Sequence, residues 1–278
     1  MKKDFFQVQE AQSKIRKRIF AFAFFTLAFF LPAFSQNLTG YEIMKKADEV
    51  ETGKTSSYTA TMKLINKKGN ERIREVAFYT KDFSDSKRSV VVFRTPKDVS
   101  GVGYLMWDYN EDTKGSKKER DSWLYMPAMK KVRRISGSES GDDFMGTDFT
   151  YDDMGERALS KDTFNLLGEE NVNGIACYKV ECISNDKSEK NPRRIVWLAK
   201  DNFITQRGEY YNKQNTLQRV LECEDIKQID GIWTTGKMTM KNIITNHTTI
   251  LEVKDVRYNQ NIADSIFTVA SLERGTVK

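Results

Sequence analysis

Histidine is almost missing from this chain: His247 is the only one in 278 residues. It stands in the polar run Thr245-Asn246-His247-Thr248, where a surface position is expected. With no C-x-x-C pair to accompany it, the donor set for a zinc site is lacking. No G-x-S-x-G elbow occurs, and Gly137-Ser138-Glu139-Ser140-Gly141 carries glutamate where the nucleophile would stand. A glycine-rich phosphate loop is lacking too, and the carboxylates around residue 148 do not follow the calcium-loop spacing. These absences point away from an enzyme and imply no cofactor and no metal. A lipid hydrolase is the least favoured reading, because a lone histidine leaves a nucleophile little choice of base.

Cysteine is scarce as well. Cys177, Cys182 and Cys223 are an odd set, which does not make a full disulfide framework. Cys177 and Cys182 stand five apart, so on one strand they face opposite ways and do not bridge. Pairing of one of them with Cys223 and buried free thiols are both open.

The chain also lacks a true basic excess. Its formal charge is +6, from 45 basic and 39 acidic residues. Residues 1–35 hold six of the basic ones (Lys2, Lys3, Lys14, Arg16, Lys17, Arg18) and two acidic ones (Asp4, Glu10), which leaves 39 against 37, a net +2. A basic pI that resides in a leader says nothing of nucleic acid. The leader itself is legible: a basic block at 14–18, an apolar run Ile19 to Leu31, Pro32, then Ala33-Phe34-Ser35 before Gln36. That order reads as a secretory signal peptide over 1–35, with the mature domain at 36–278. The run is shorter than the ~20 residues of a membrane-spanning helix. Export to the periplasm is expected, with an inner-membrane anchor by an uncleaved signal as the alternative. No cysteine lies at the cut, so no lipid-attachment signal is present.

What remains is rich in alternation. Thr39-Gly40-Tyr41-Glu42 matches a capping box, and Ile43, Met44, Ala47 and Val50 continue at helical spacing, which predicts a helix from Gly40 to Glu51. Beyond it the period is two. Tyr58, Ala60, Met62 and Leu64 share one face, Lys67-Lys68-Gly69-Asn70 turns the chain, and Arg72 to Thr80 returns as a hairpin. Similar short strands fill 88–135 and 165–258, separated by short polar turns. Short connections require antiparallel neighbours. The expected class is mainly β (α+β): a curled antiparallel sheet of about eleven strands forming a half-open β-barrel, with short helices closing its concave face.

Large soft side chains mark the candidate site. Met62, Met106, Trp107, Trp123 and Met126 lie in or beside strands, and methionine adapts to irregular apolar ligands. The alternative for each is simple core filling. Residues 138–155 interleave Phe144, Met145, Phe149 and Tyr151 with carboxylates and glycines. This stretch reads either as a flap over a cavity mouth or as a packed structural loop. Before it, Lys130, Lys131, Arg133 and Arg134 suggest a rim that attracts anionic head groups or an acidic partner, or else a charged edge strand that deters aggregation.

At these residues the sequence resembles the LolA-like family of outer-membrane lipoprotein-sorting proteins. The resemblance rests on Trp123-Leu124-Tyr125-Met126-Pro127-Ala128 with Lys130 to Ile135, on Phe144-Met145-Gly146-Thr147-Asp148-Phe149-Thr150-Tyr151, and on Asp264-Ser265-Ile266-Phe267-Thr268. It implies a half-open barrel, no cofactor, and a periplasmic carrier for the acyl chains of lipids or lipoproteins. An inner-membrane transporter and an outer-membrane acceptor are the partners it implies. A non-catalytic docking subunit of an envelope transport complex is the alternative function.

Overall fold

The computed structural model describes residues 38–111 and 118–275; the expected leader and its cut lie outside them. Thr39 caps the first helix, α1 (Gly40–Asp48), as the sequence predicts. The Glu42 amide donates to Thr39 Oγ1 at 3.2 Å, and the Thr39 amide donates back to Glu42 Oε2 at 2.7 Å. The helix stops three residues short of the expected end. Gly40 is there for close approach, since a Cβ would lie 2.9 Å from the Leu166 amide nitrogen.

Thirteen strands follow: β1 (Thr55–Ile65), β2 (Glu71–Asp82), β3 (Ser86–Thr95), β4 (Gly103–Tyr109), β5 (Asp121–Met126), β6 (Lys131–Ile135), β7 (Asp162–Val172), β8 (Ile175–Ser184), β9 (Arg193–Ala199), β10 (Thr205–Tyr211), β11 (Leu217–Ile229), β12 (Ile232–Asn242) and β13 (His247–Tyr258). They make one sheet, in the order β6-β5-β4-β3-β2-β1-β13-β12-β11-β10-β9-β8-β7, with antiparallel neighbours throughout. The count exceeds the expected eleven by two. The sheet curls but does not close: β6 and β7 are its two edges. Residues 136–161 carry the chain from one edge to the other.

Register shows which elements share a face. Leu64, Thr249, Met240, Leu221, Gly208, Val196, Val180 and Leu166 are successive cross-strand partners, so they form one row on one side of the sheet. At one end of this inner face, Ile43 of α1 packs with Val180, Cys182 and Leu198. At the other end Met62, Val76, Phe93, Tyr104 and Met106 pack with Phe144 and Tyr151 from the edge-to-edge segment. The inner face is thus covered by one helix and an irregular segment rather than by several helices.

The last helical elements lie on the opposite, outer face. A 3-10 turn (Asp264–Phe267) and α2 (Val269–Glu273) place Phe267 and Leu272 against Val90, Val92 and Leu105. The approach is close enough that a Cβ on Gly103 would sit 2.6 Å from Leu272 Cδ1. Of the short helices expected on the concave face, α1 lies there, whereas α2 caps the outer side of β3–β5.

Candidate functional site

The inner groove is where an acyl carrier would hold cargo, and residues 136–161 fill it. Phe144 has no exposed surface and touches three aromatic rings: Tyr104 (centroids 5.3 Å), Tyr151 (5.5 Å) and Phe93 (5.8 Å). Burial of one such side chain contributes roughly 3 kcal/mol. Phe149 and Tyr151 are also buried, and Met145 packs beside them. Of the two readings of this stretch, a flap or a packed loop, its geometry is that of a packed plug.

The plug has little regular structure, so its polar groups find partners on the strands. Within it, the Phe144 amide donates to the Phe149 carbonyl at 2.7 Å, and Thr147 Oγ1 donates to the Phe144 carbonyl at 2.8 Å. Outside it, the Arg74 guanidinium donates to the Met145 carbonyl at 2.7 Å. Arg219 Nη1 donates to the Asp148 carbonyl at 2.9 Å and pairs with the Asp153 carboxylate at 2.5 Å. Asp148 accepts the Thr249 hydroxyl at 2.7 Å and lies 2.6 Å from His247 Nδ1. His247 is thus no free surface residue; its ring is half-buried against the plug. Arg120 spans Asp108 at 2.6 Å and the Glu156 carbonyl at 2.7 Å, and a Cβ on Gly155 would collide with that guanidinium at 2.5 Å.

Two cavities of about 430 Å³ each open at the sheet, within the ~300–1,000 Å³ usual for ligand sites. One lies in the seam between the edges, where Arg120, Arg157, Arg194, Arg219, Tyr104 and Tyr210 contribute to a polar lining. Its arginines are already matched: Arg157 holds Asp162 with two contacts of 2.7 Å, and Arg194 bonds the same carboxylate. Burial would raise the Asp162 carboxyl, but these two guanidiniums hold it below the usual carboxylate range. The other cavity lies where β12 and β13 part. Their register runs from Asn242↔His247 to Lys237↔Glu252 and goes no further. Asp255 of β13 takes a φ of +53° where the β1–β13 register shifts, a bulge that lies just past the point where β12 and β13 part. Ile226, Ile229, Val253 and Val256 line this cleft together with the charged Asp225, Lys227, Lys254 and Asp255.

The remaining sequence candidates divide between the faces. Met62, Met106 and Met126 belong to the inner core with Phe144 and Met145. Trp107 and Trp123 do not: their rings meet edge to face at 5.0 Å on the outer side, and Trp107 Nε1 donates to the Phe267 carbonyl at 3.1 Å. Lys130 and Lys131 are exposed at the β5–β6 turn. Arg133 and Arg134 lie on opposite faces: Arg133 stands beside Leu124 on the inner side, where it pairs with Glu139 at 2.7 Å, and Arg134 stands beside Trp123 on the outer side and pairs with Asp121. Arg74, Arg219 and Asp148 escaped sequence reasoning, because pinning a plug is a long-range role with no local signature. All three cysteines are free and buried, Cys182 on the inner face and Cys177 on the outer.

An open, curled antiparallel sheet whose groove faces one helix and an irregular insert defines the LolA-like class of fold. The chain belongs to the DUF1329 family and has the LolA-like fold. A family model described only as "Uncharacterized protein" matches residues 85–274. A DUF1329 family protein from Desulfovibrio piger is similar at 31% identity, covering 84% of this chain and 97% of its own, with a TM-score of 0.78. A putative outer membrane lipoprotein-sorting protein domain from Vibrio parahaemolyticus is similar at 28% identity, covering 84% and 98%, with the same TM-score. A LolA superfamily protein from Nitrosomonas europaea shares the fold at 18% identity, covering 84% and 99%, with a TM-score of 0.65. No curated protein matches the sequence.

Proposed function

We propose that the protein is a periplasmic carrier that binds acyl chains of lipids or lipoproteins and passes them toward the outer membrane. The observation that carries this reading is the plug. The groove a cargo would occupy is filled by the chain's own Phe144, Phe149 and Tyr151, supplied by a segment with almost no ladder bonding of its own. Apolar surface buried in this way can be exchanged for apolar cargo with little net change in hydration, since each methylene taken from water returns about 0.8 kcal/mol. Met62, Met106, Met126 and Met145 would then line the occupied groove, and methionine repacks readily around a flexible chain. The likeness to a lipoprotein-sorting domain supports the same reading.

The test is retention. The protein purified without detergent should carry lipid detectable by mass spectrometry, or should bind a fluorescent fatty acyl probe in competition with unlabelled lipid. Empty preparations that bind no probe would end the carrier reading. A second reading has its own support: Phe144 and Tyr104 are fully buried, so the groove is well filled without cargo. On that reading the protein is a docking subunit of an envelope transport complex, and a stable protein partner would be recovered while lipid assays stay negative.

A further inference from the structure

Because consecutive strands are antiparallel, every second turn lies at the same end of the sheet. The turns 96–102, 66–70, 243–246 and 212–216 join β3 to β4, β1 to β2, β12 to β13 and β10 to β11, so they stand side by side in that order. The β5–β6 turn at 127–130 continues the row. Two kinds of side chain dominate this end. Lys67, Lys68, Lys97, Lys130, Lys213 and Lys241 are exposed, and none has an ion-pair partner among the described residues. Between them project apolar side chains: Ile244 is 57% exposed, Ile243 41%, Ile73 52% and Met129 52%.

The isoleucine tip is built rather than frayed. Asn242 Oδ1 accepts the amides of Ile244 and Thr245 at 3.1 Å each, and Asn246 takes the left-handed conformation that closes the turn. Two aliphatic side chains are thereby held out into solvent at a hairpin apex. Carboxylates at this end are fewer: Glu71 is paired to Lys63, Asp142 to Lys190 and Glu189 to Arg157, leaving Asp98, Asp143 and Asp186. The opposite end is different. There Asp82, Asp85 and Asp264 are exposed but matched by Lys87, Arg88 and Lys81, and Glu111, Asp201 and Asp230 add negative charge.

We propose that the end of the sheet bearing Ile243 and Ile244 docks on the surface of an anionic phospholipid bilayer. Lysines without partners attract acidic head groups over about a Debye length of ~8–10 Å. Aliphatic tips then enter the interfacial region, where a structured hairpin with short apolar side chains loses little entropy. An acidic protein would satisfy the lysines but gives no reason for isoleucines at the apex of a capped turn. This inference deepens the carrier reading, since it names the surface at which cargo is collected or delivered.

Vesicle co-sedimentation of the full chain tests it, with phosphatidylglycerol-containing vesicles against pure phosphatidylcholine. The expected result is binding to the anionic vesicles that falls as salt rises. Lys67→Gln with Lys68→Gln should weaken it roughly tenfold or more. Ile243→Ser with Ile244→Ser should weaken it at low salt, where attraction of the lysines persists. These positions are exposed, so an unchanged thermal midpoint will show that both variants fold. Equal binding to both vesicle types, or binding indifferent to both variants, overturns the proposal. So does capture of an acidic protein by the lysine end with no vesicle binding. Vesicle binding with neither retained lipid nor acyl-probe binding would leave the docking inference standing and the carrier reading refuted.

Discussion

The His247 imidazole lies 2.6 Å from the Asp148 carboxylate, although the two residues are 99 positions apart. The same carboxylate accepts the Thr249 hydroxyl, and the Asp148 amide donates to Thr249 Oγ1 at 3.0 Å. One residue of the plug is therefore gripped through backbone and side chain by the opening residues of β13. Replacing Asp148 with alanine should strand the Thr249 hydroxyl and release the middle of the plug. A loss of about 1–3 kcal/mol is expected. Amide hydrogen exchange should quicken at Phe144 and Tyr151 before it changes in the central strands.

Phe144→Ala removes the largest apolar group of the plug from an aromatic cage. A core phenylalanine of this kind costs about 3–5 kcal/mol when truncated. The vacated space is lined by Phe93, Tyr104 and Tyr151. On the carrier reading this variant should also take up a fluorescent acyl probe more readily than the parent, because less of the chain's own surface must be displaced. Denaturant unfolding and a probe titration on the same preparation measure both effects.

Acid should weaken the seam between the sheet edges. The Asp162 carboxyl is held below its ordinary value by Arg157 and Arg194 despite its burial. A depressed folded-state pKa contributes stability above the unfolded-state value, and that contribution disappears as pH falls through the folded-state value. Urea unfolding followed from pH 6 down to pH 2 should therefore show falling stability, with a shallower slope in Asp162→Asn. Arg157→Gln should be the more damaging change at neutral pH, since it leaves a buried carboxylate short of partners.

The thiols should be silent in the native protein. Burial pushes Cys182 and Cys223 each up to about 12, far from the thiolate form that reacts. At pH 8 a disulfide reagent should titrate none of the buried thiols quickly, and all three after unfolding. Rapid native labelling of Cys182 would mean that α1 opens away from β8 on the timescale of the assay.

The meander was legible because its turns are short and polar and its strands alternate. Thr39 and Glu42 likewise announced the helix start. The assignment of faces was not legible, and Val90 to Phe93 show why. All four side chains are buried, Val91 and Phe93 under the plug side and Val90 and Val92 under Phe267 and Leu272. A strand covered on both sides loses the alternation that would tell inner from outer. Trp107 and Trp123 read as cavity residues in the sequence for the same reason, and the elements covering them come from the far end of the chain. The plug was hidden differently. Its apolar residues follow no period, because their burial is imposed by the need to cross from β6 to β7.

The position of β1 beside β13 has a consequence for how the sheet can come apart. Residues from the first and last strands, such as Thr59 and Asp255, touch across 196 positions of sequence at the middle of the sheet, while its outermost strands are neighbours in the chain order. Loss of β13 would therefore not peel a border but cut the molecule into two meanders tethered by a single crossing. During synthesis the two meanders must wait for that final strand before they can be sewn together. A backbone break within 136–161 would be milder, because it would sever the tether and leave all twelve ladders in place.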